Sequence, residues 1–397
     1  MRWIFHDPDD RREAAARKRI LSLIDDWWDA FESKSQTLRD VFTGKRRWDL
    51  PAWMSDTLQA IDPHLMWEYG PGVKSNGHRL VITPESRTYL RPLVRTILDH
   101  APRLPGWEFY PYRLAEDLEQ ARNTVEGRTG GSLDGVVVEL QIGEANRIDL
   151  LFRSPDTECD RDKQAREIAF VAAETLLGER ALDRWVGGID VAPLPRTDQR
   201  KRAISLSRFK DTFDSLVDSI RDGLPPLPFA ERDDDGKRSL IELKPRKAHD
   251  YIGQEDLIVA TTMDVELWKA THHPMPFYSQ RYSGCNETFA YVKMDGSNRE
   301  RGNEAEQRGK IEDALDDKLS ADRLGIHIGG GTGIRYSYID LALADLDMGV
   351  ERVRRTLRKL DVPERSWILF FDADLADEWV GVYPETPTPP RVSEEEQ

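Results

Sequence analysis

Apolar positions along the chain change period often enough to divide it into elements. Between Gly325 and Phe371 the pattern moves from alternation at Ile334, Tyr336 and Tyr338 to helical spacing at Leu346, Val350, Val353, Leu357 and Leu360. An unbroken apolar run from Trp367 to Phe371 follows. That succession predicts a hairpin, a helix and a buried strand. Asp345 is placed to cap the helix, Arg358 and Lys359 suit the negative end of its dipole, and Pro363 stops it.

The same reading runs back to the start. Ile20, Leu23, Ile24, Trp27, Trp28 and Phe31 form a helical stripe, and Pro51 opens a second helix with Met54, Leu58 and Ile61 inside. Trp27 and Trp28 lie about 100° apart on a helix, so a broad buried face is expected. LMWEYG and HRLVITP read as strands, and a helix through Leu90, Leu93, Val94 and Ile97 contains Pro92, which should kink it or mark its true first turn. From Trp107 to Leu194 the order reads β-α-β-β-α-β, and from Glu287 to Phe371 it recurs. That order is the ferredoxin-like arrangement.

The expected fold class is therefore α+β, with two ferredoxin-like units, 107–194 and 287–371, and extra N-terminal helices and strands. The repetition reads as an internal duplication resting on element order. The basic segment PLPRTDQRKR, 193–202, is the expected linker between an N-terminal domain, 1–195, and a C-terminal domain, 203–384. The tail 385–397, with its prolines and EEE run, is expected to be disordered.

Composition narrows the function classes. The chain has 397 residues and a net charge of −15, which argues against a general nucleic-acid or anionic-membrane binder. Cys159 and Cys285 give neither a disulfide framework nor a zinc signature, and no apolar run is long enough for a membrane span. A cytoplasmic protein without a cofactor is the expectation.

Few stretches carry chemistry. The glycine run 329–333 lacks the following helix and lysine of a phosphate loop, so a flexible or bulged hairpin tip is the favoured reading. If it holds an anion through Gly330 and Gly331, Arg335 is the natural partner. Asp372, Asp374 and Glu378 form an acidic cluster after the apolar strand, where carboxylates could hold a divalent cation, but their order lacks the EF-hand spacing. His272 and His273 are adjacent before a proline and form no helical metal pair. Basic patches at 17–19, 196–202 and 244–247 are short and read as solvated surface. Arg335, Tyr336, Tyr338 and Asp340 lie on a strand one row of which faces away from the helices. They suit either a protein-docking patch or packing of that face.

The segments EAEQRGKIEDAL, GGGTGIRYSYIDL and WILFFDADLADEWVGVYP within 287–383 resemble the ferredoxin-like domains of the ribonuclease E activity regulator B superfamily and related bacterial domains. The resemblance covers about a quarter of the chain. It implies binding and regulation of another protein, without a cofactor. A non-catalytic regulator, inhibitor or immunity-type module is the expectation, with a partner of opposite, basic charge. The competing class is a divalent-metal phosphate hydrolase using Asp372, Asp374 and Glu378, and a third is RNA binding through 196–202.

Overall fold

The structure is a computed structural model that describes residues 1–155, 163–194, 202–232, 236–296 and 304–391. The chain forms two compact units, Arg11–Ile220 and a second made of Met1–Asp10 with Arg221–Gln397. The division falls later than the basic segment 193–202, most of which lies outside the described residues.

The N-terminal unit opens with the long helix α1 (Arg11–Phe42), which buries Ile24, Trp27, Trp28, Phe31 and Leu38. Both adjacent tryptophans are inside because the face is wide: Trp28 meets Phe109 edge-on at 4.7 Å and Phe31 meets Trp107 at 5.0 Å. Asp49 caps α2 (Leu50–Thr57), and strands β1 (Met66–Pro71) and β2 (His78–Thr83) pair antiparallel. Helix α3 (Arg91–Asp99), with Pro92 in its first turn, then leads to β3 (Trp107–Tyr110), parallel to β2.

A second sheet follows: α4 (Leu118–Thr129), β4 (Val137–Ile142), β5 (Ile148–Ser154), α5 (Lys163–Leu177), α6 (Glu179–Trp185), β6 (Val186–Pro193), β7 (Ile204–Ser205) and α7 (Phe209–Asp222). Its strand order is β6-β5-β4-β7, over a core that includes Val138, Phe152, Ala172, Phe209 and Phe213. Buried ion pairs tie the unit together. Arg91 binds Glu179 at 2.8 Å and Asp183 at 2.7 Å, while Arg113 binds Glu174 at 2.9 Å.

These pairings correct one expectation. The segment 107–194 has the expected element order, but its first strand belongs to a different sheet from β4, β5 and β6. A ferredoxin-like unit needs all four strands in one sheet, so 107–194 does not make one and the internal duplication fails with it. The cause is local. Trp107 packs into the aromatic face of α1, which recruits β3 to the first sheet.

The C-terminal unit is built on one seven-stranded sheet. Its elements are β8 (Ser239–Glu242), β9 (Leu257–Thr262), α8 (Val265–Thr271), β10 (Thr288–Asp295), α9 (Glu304–Ala321), β11 (Gly325–Gly333), β12 (Tyr336–Leu343), α10 (Leu346–Lys359), β13 (Ser366–Phe370) and β14 (Val380–Gly381). The spatial order is β14-β13-β10-β12-β11-β9-β8, every neighbouring pair antiparallel. Asp345 caps α10 through the Met348 N–H at 2.9 Å. Val350, Val353 and Leu357 of α10 and Leu315 and Leu319 of α9 pack on Val292, Ile339, Leu341 and Ile368. Both helices thus cover one face.

The glycine run is not a hairpin tip. It lies inside β11, paired with β12 on one side and β9 on the other. A Cβ on Gly329 would fall 2.4 Å from the Thr261 carbonyl oxygen, and one on Gly331 would fall 2.5 Å from that of Val259. Glycine is needed because three backbones approach too closely for side chains. The tail also differs from expectation as far as it is described. Trp367 Nε1 donates to Pro387 O at 2.6 Å and Thr386 Oγ1 donates to Glu364 O at 2.8 Å, so 385–391 is held against β13. Residues 392–397 lie outside the described residues.

Gly331→Ala is expected to destabilise the C-terminal unit by about 1–3 kcal/mol, because the obstructing atoms are backbone. Chemical denaturation checks this, and an unchanged midpoint would contradict the close packing of β9 on β11.

Candidate functional site

Register decides what the helix-free face of the C-terminal sheet carries. Lys293 pairs with Tyr338 and Trp367, and Asp295 pairs with Tyr336. Tyr291, Lys293, Asp295, Tyr336, Tyr338, Asp340 and Trp367 therefore share one face. Gly329 and Gly331 are the corresponding positions of β11, and their missing side chains leave the space over the tyrosines open.

The connection between β8 and β9, residues 243–256, fills that space as a strap. Asp256, fully buried at its end, accepts the N–H groups of Arg335 at 2.7 Å and Tyr336 at 2.9 Å on one oxygen and the Tyr338 hydroxyl on the other. Its backbone carbonyl also accepts the Ile334 N–H at 2.9 Å. The β11–β12 turn is thereby fastened from outside. Gly333 is glycine for the same reason, since a Cβ there would lie 2.4 Å from the Asp256 carboxylate. Further along the strap, Asp250 accepts from the Tyr336 hydroxyl at 2.6 Å and Arg365 at 3.0 Å, and Gln254 donates to Asp340 at 2.6 Å. Arg335 and Arg365 both reach Asp295, at 3.1 and 3.0 Å.

Lys293 sits beneath this lid. Its Nζ donates to the Tyr251 carbonyl and lies 4.2 Å above the Tyr336 ring. Burial lowers its pKa to about 8, against the opposing pull of Asp256 and Asp250. Burial raises the Tyr336 phenol to about 12, and raises Tyr338 further with help from Asp256. Burial also raises Asp340 to about 6, partly offset by the Gln254 hydrogen bond. Glu312 adds to the rise, while Arg308 and His327 oppose it. For Asp250, burial is outweighed by hydrogen bonds from Tyr336 and the Tyr251 N–H and by Arg335 and Arg365, so its pKa falls. The charges answer one another, and Lys293 has no exposed surface. This arrangement locks a strap to a sheet.

The row expected either to dock a partner or to be packed over is covered: Tyr336, Tyr338 and Asp340 are buried beneath the strap, and Arg335 is engaged at its rim. Gly330 and Gly331 are buried within β11, where strand pairing on both sides occupies the backbone an anion would use. The acidic cluster does not converge. Asp372 accepts the backbone N–H of Ser279 at 2.9 Å and its hydroxyl, Asp374 lies in the short turn after β13, and Glu378 accepts the N–H groups of Trp3, Ile4 and Phe5 at 2.6, 3.1 and 2.9 Å. Among the described residues no three His, Cys, Asp or Glu side chains are placed to hold a metal ion. His272 stacks on Trp268 at 4.1 Å. The expectations missed Lys293, Gln254 and Asp256, and weighed Asp250 only as an acid–base neighbour of His249. The available signal was the alternation Tyr291, Lys293, Asp295 in an otherwise apolar strand.

The two edges of the sheet are treated differently. Beside β14, residues Trp3, Ile4 and Phe5 tie to Glu378, and Arg2 stacks on Trp379 at 3.9 Å and donates to its carbonyl at 3.1 Å. At the opposite end β8 pairs only with β9 among the described strands, and Leu240 on it is 63% exposed. No match is found among protein-family models, curated proteins or solved structures. No helix among the described residues is long and apolar enough to cross a membrane.

Asp340 gives a pH test. Its folded pKa lies above the ordinary aspartate value, so the folded state holds the proton more tightly, and stability falls as pH rises from about 4 to 6. Relative to Asp340→Asn, wild type should lose stability by up to about 3 kcal/mol between pH 4 and 7. Denaturation series of both proteins measure it, and parallel profiles would contradict the buried carboxyl.

Proposed function

We propose that this chain is a cytoplasmic protein-binding regulator, of inhibitor or immunity type, that receives its partner along the outer edge of β8. The observation that carries the reading is the edge strand β8, which pairs only with β9 among the described strands, with its exposed Leu240. An exposed edge presents a row of backbone donors and acceptors ready to pair with another chain. The face first expected to dock a partner instead holds the strap that carries this edge. No catalytic residue, metal or cofactor enters the reading.

Strand order supports the fold-level part. Within 287–371 the four strands β13-β10-β12-β11 stand in the order fourth, first, third, second, with α9 and α10 on one face. That is the ferredoxin-like order, and it fits the resemblance of this segment to the ribonuclease E activity regulator B superfamily. The proposed unit is single and sits in the C-terminal half.

The test is affinity capture from native cytosol by the tagged full chain, with and without ribonuclease, using wild type, Leu240→Asp and, as a control on exposed α10, Met348→Asp. One stoichiometric protein should survive nuclease, fall about tenfold or more with Leu240→Asp, and be unaffected by the control. Undiminished capture by Leu240→Asp, or loss of the partner on nuclease treatment, would overturn the reading.

A further inference from the structure

Local charge at the β8 edge is opposite to that of the chain. From Ser239 to His249 there are three cations, Lys244, Arg246 and Lys247, against the single carboxylate of Glu242, in a protein of net charge −15. All three cations are exposed, and none makes an ion pair among the described residues. This contrasts with Arg335 and Arg365, whose charge is taken up by Asp250 and Asp295.

The cations are also held in place at both ends. On one side β8 is paired with β9 through Glu242, and the Leu243 N–H bonds the Ile258 carbonyl at 2.8 Å. On the other, Asp250 is fixed by Tyr336 and Arg365. A short run pinned at its ends loses little freedom when it binds, which favours affinity. The edge strand, with its row of backbone groups, leads directly into it.

We infer that β8 takes up an extended acidic segment of a partner protein by strand addition, with glutamate or aspartate side chains meeting Lys244, Arg246 and Lys247. This rests on the protein-binding reading above and names its partner's chemistry. In-register antiparallel β8–β8 pairing, with 239 opposite 242, would set Lys244 of one copy beside Lys237 of the other but Arg246 and Lys247 beside Asp235 and Asp234, and parallel pairing would set like against like. The basic partner expected from net charge would meet the same repulsion at this edge.

The probe is a blocked octapeptide of alternating valine and glutamate, with glutamine and lysine counterparts, added at millimolar concentration to the full chain. Amide exchange of residues 239–243 is followed by mass spectrometry at low and physiological salt. The glutamate peptide should protect these amides with about tenfold higher apparent affinity than the glutamine peptide, and should weaken with salt. The lysine peptide should not protect. Combined Lys244→Glu, Arg246→Glu and Lys247→Glu, all at exposed positions, should reverse the preference. Equal protection by glutamate and glutamine peptides would overturn the inference and leave the edge-binding reading standing. Protection by none would overturn both. Displacement of the glutamate peptide by a single-stranded oligonucleotide at lower concentration would assign the cations to nucleic acid and overturn the inference.

Discussion

One buried carboxylate organises the C-terminal unit. Asp256 stands just before β9 and closes the turn between β11 and β12 by accepting two backbone N–H groups and a phenol. Local sequence alone leaves those turn donors without acceptors, and a buried unpaired N–H is costly. A residue nearly eighty positions earlier in the chain satisfies them. This couples the position of the strap to the register of the hairpin, and the hairpin forms the middle of the sheet.

The polar groups that follow are consequences of that closure. Once the strap lies over the face, Lys293 is cut off from water and needs Tyr251, the Tyr336 ring and nearby carboxylates. Asp340 is left with Gln254 as its hydrogen-bond donor. Buried ionic groups seldom add net stability over an apolar core, so the account gives this network a positional role. It holds β8 and the cationic run beside it at the rim of a sheet whose other edge is covered. Glycine at 329, 331 and 333 is the steric condition for that arrangement.

The sequence made some of this visible for clear reasons. Helix α10 carries its cap, its apolar stripe and its stop within the nineteen residues from Asp345 to Pro363, and all are local signals. The apolar run of β13 was equally plain. Sheet membership was not, because alternation says that a strand exists and not which strand it pairs with. Trp107–Tyr110 had the right period and the right place in the element order, yet the aromatic face of α1 drew it into another sheet. The glycine run misled because glycine marks turns by conformational freedom and marks strand interiors by close approach, and only the neighbouring backbones distinguish the two. The candidate site was half legible. Tyr336, Tyr338 and Asp340 were singled out as one row with Arg335 beside it, but what covers them comes from a segment rich in charge with no periodic pattern. The meaning of the 244–247 cations depended on learning that they continue an edge strand.

The most direct measurement of the account is amide exchange in Asp256→Asn. An asparagine keeps the volume but places a donor among the donors that the carboxylate accepted. The account predicts exchange about tenfold or more faster at 248–256 and at the 333–336 turn, with the helix-covered strands β10 and β13 still protected. Unchanged exchange at the strap would contradict the claim that this carboxylate holds it to the sheet.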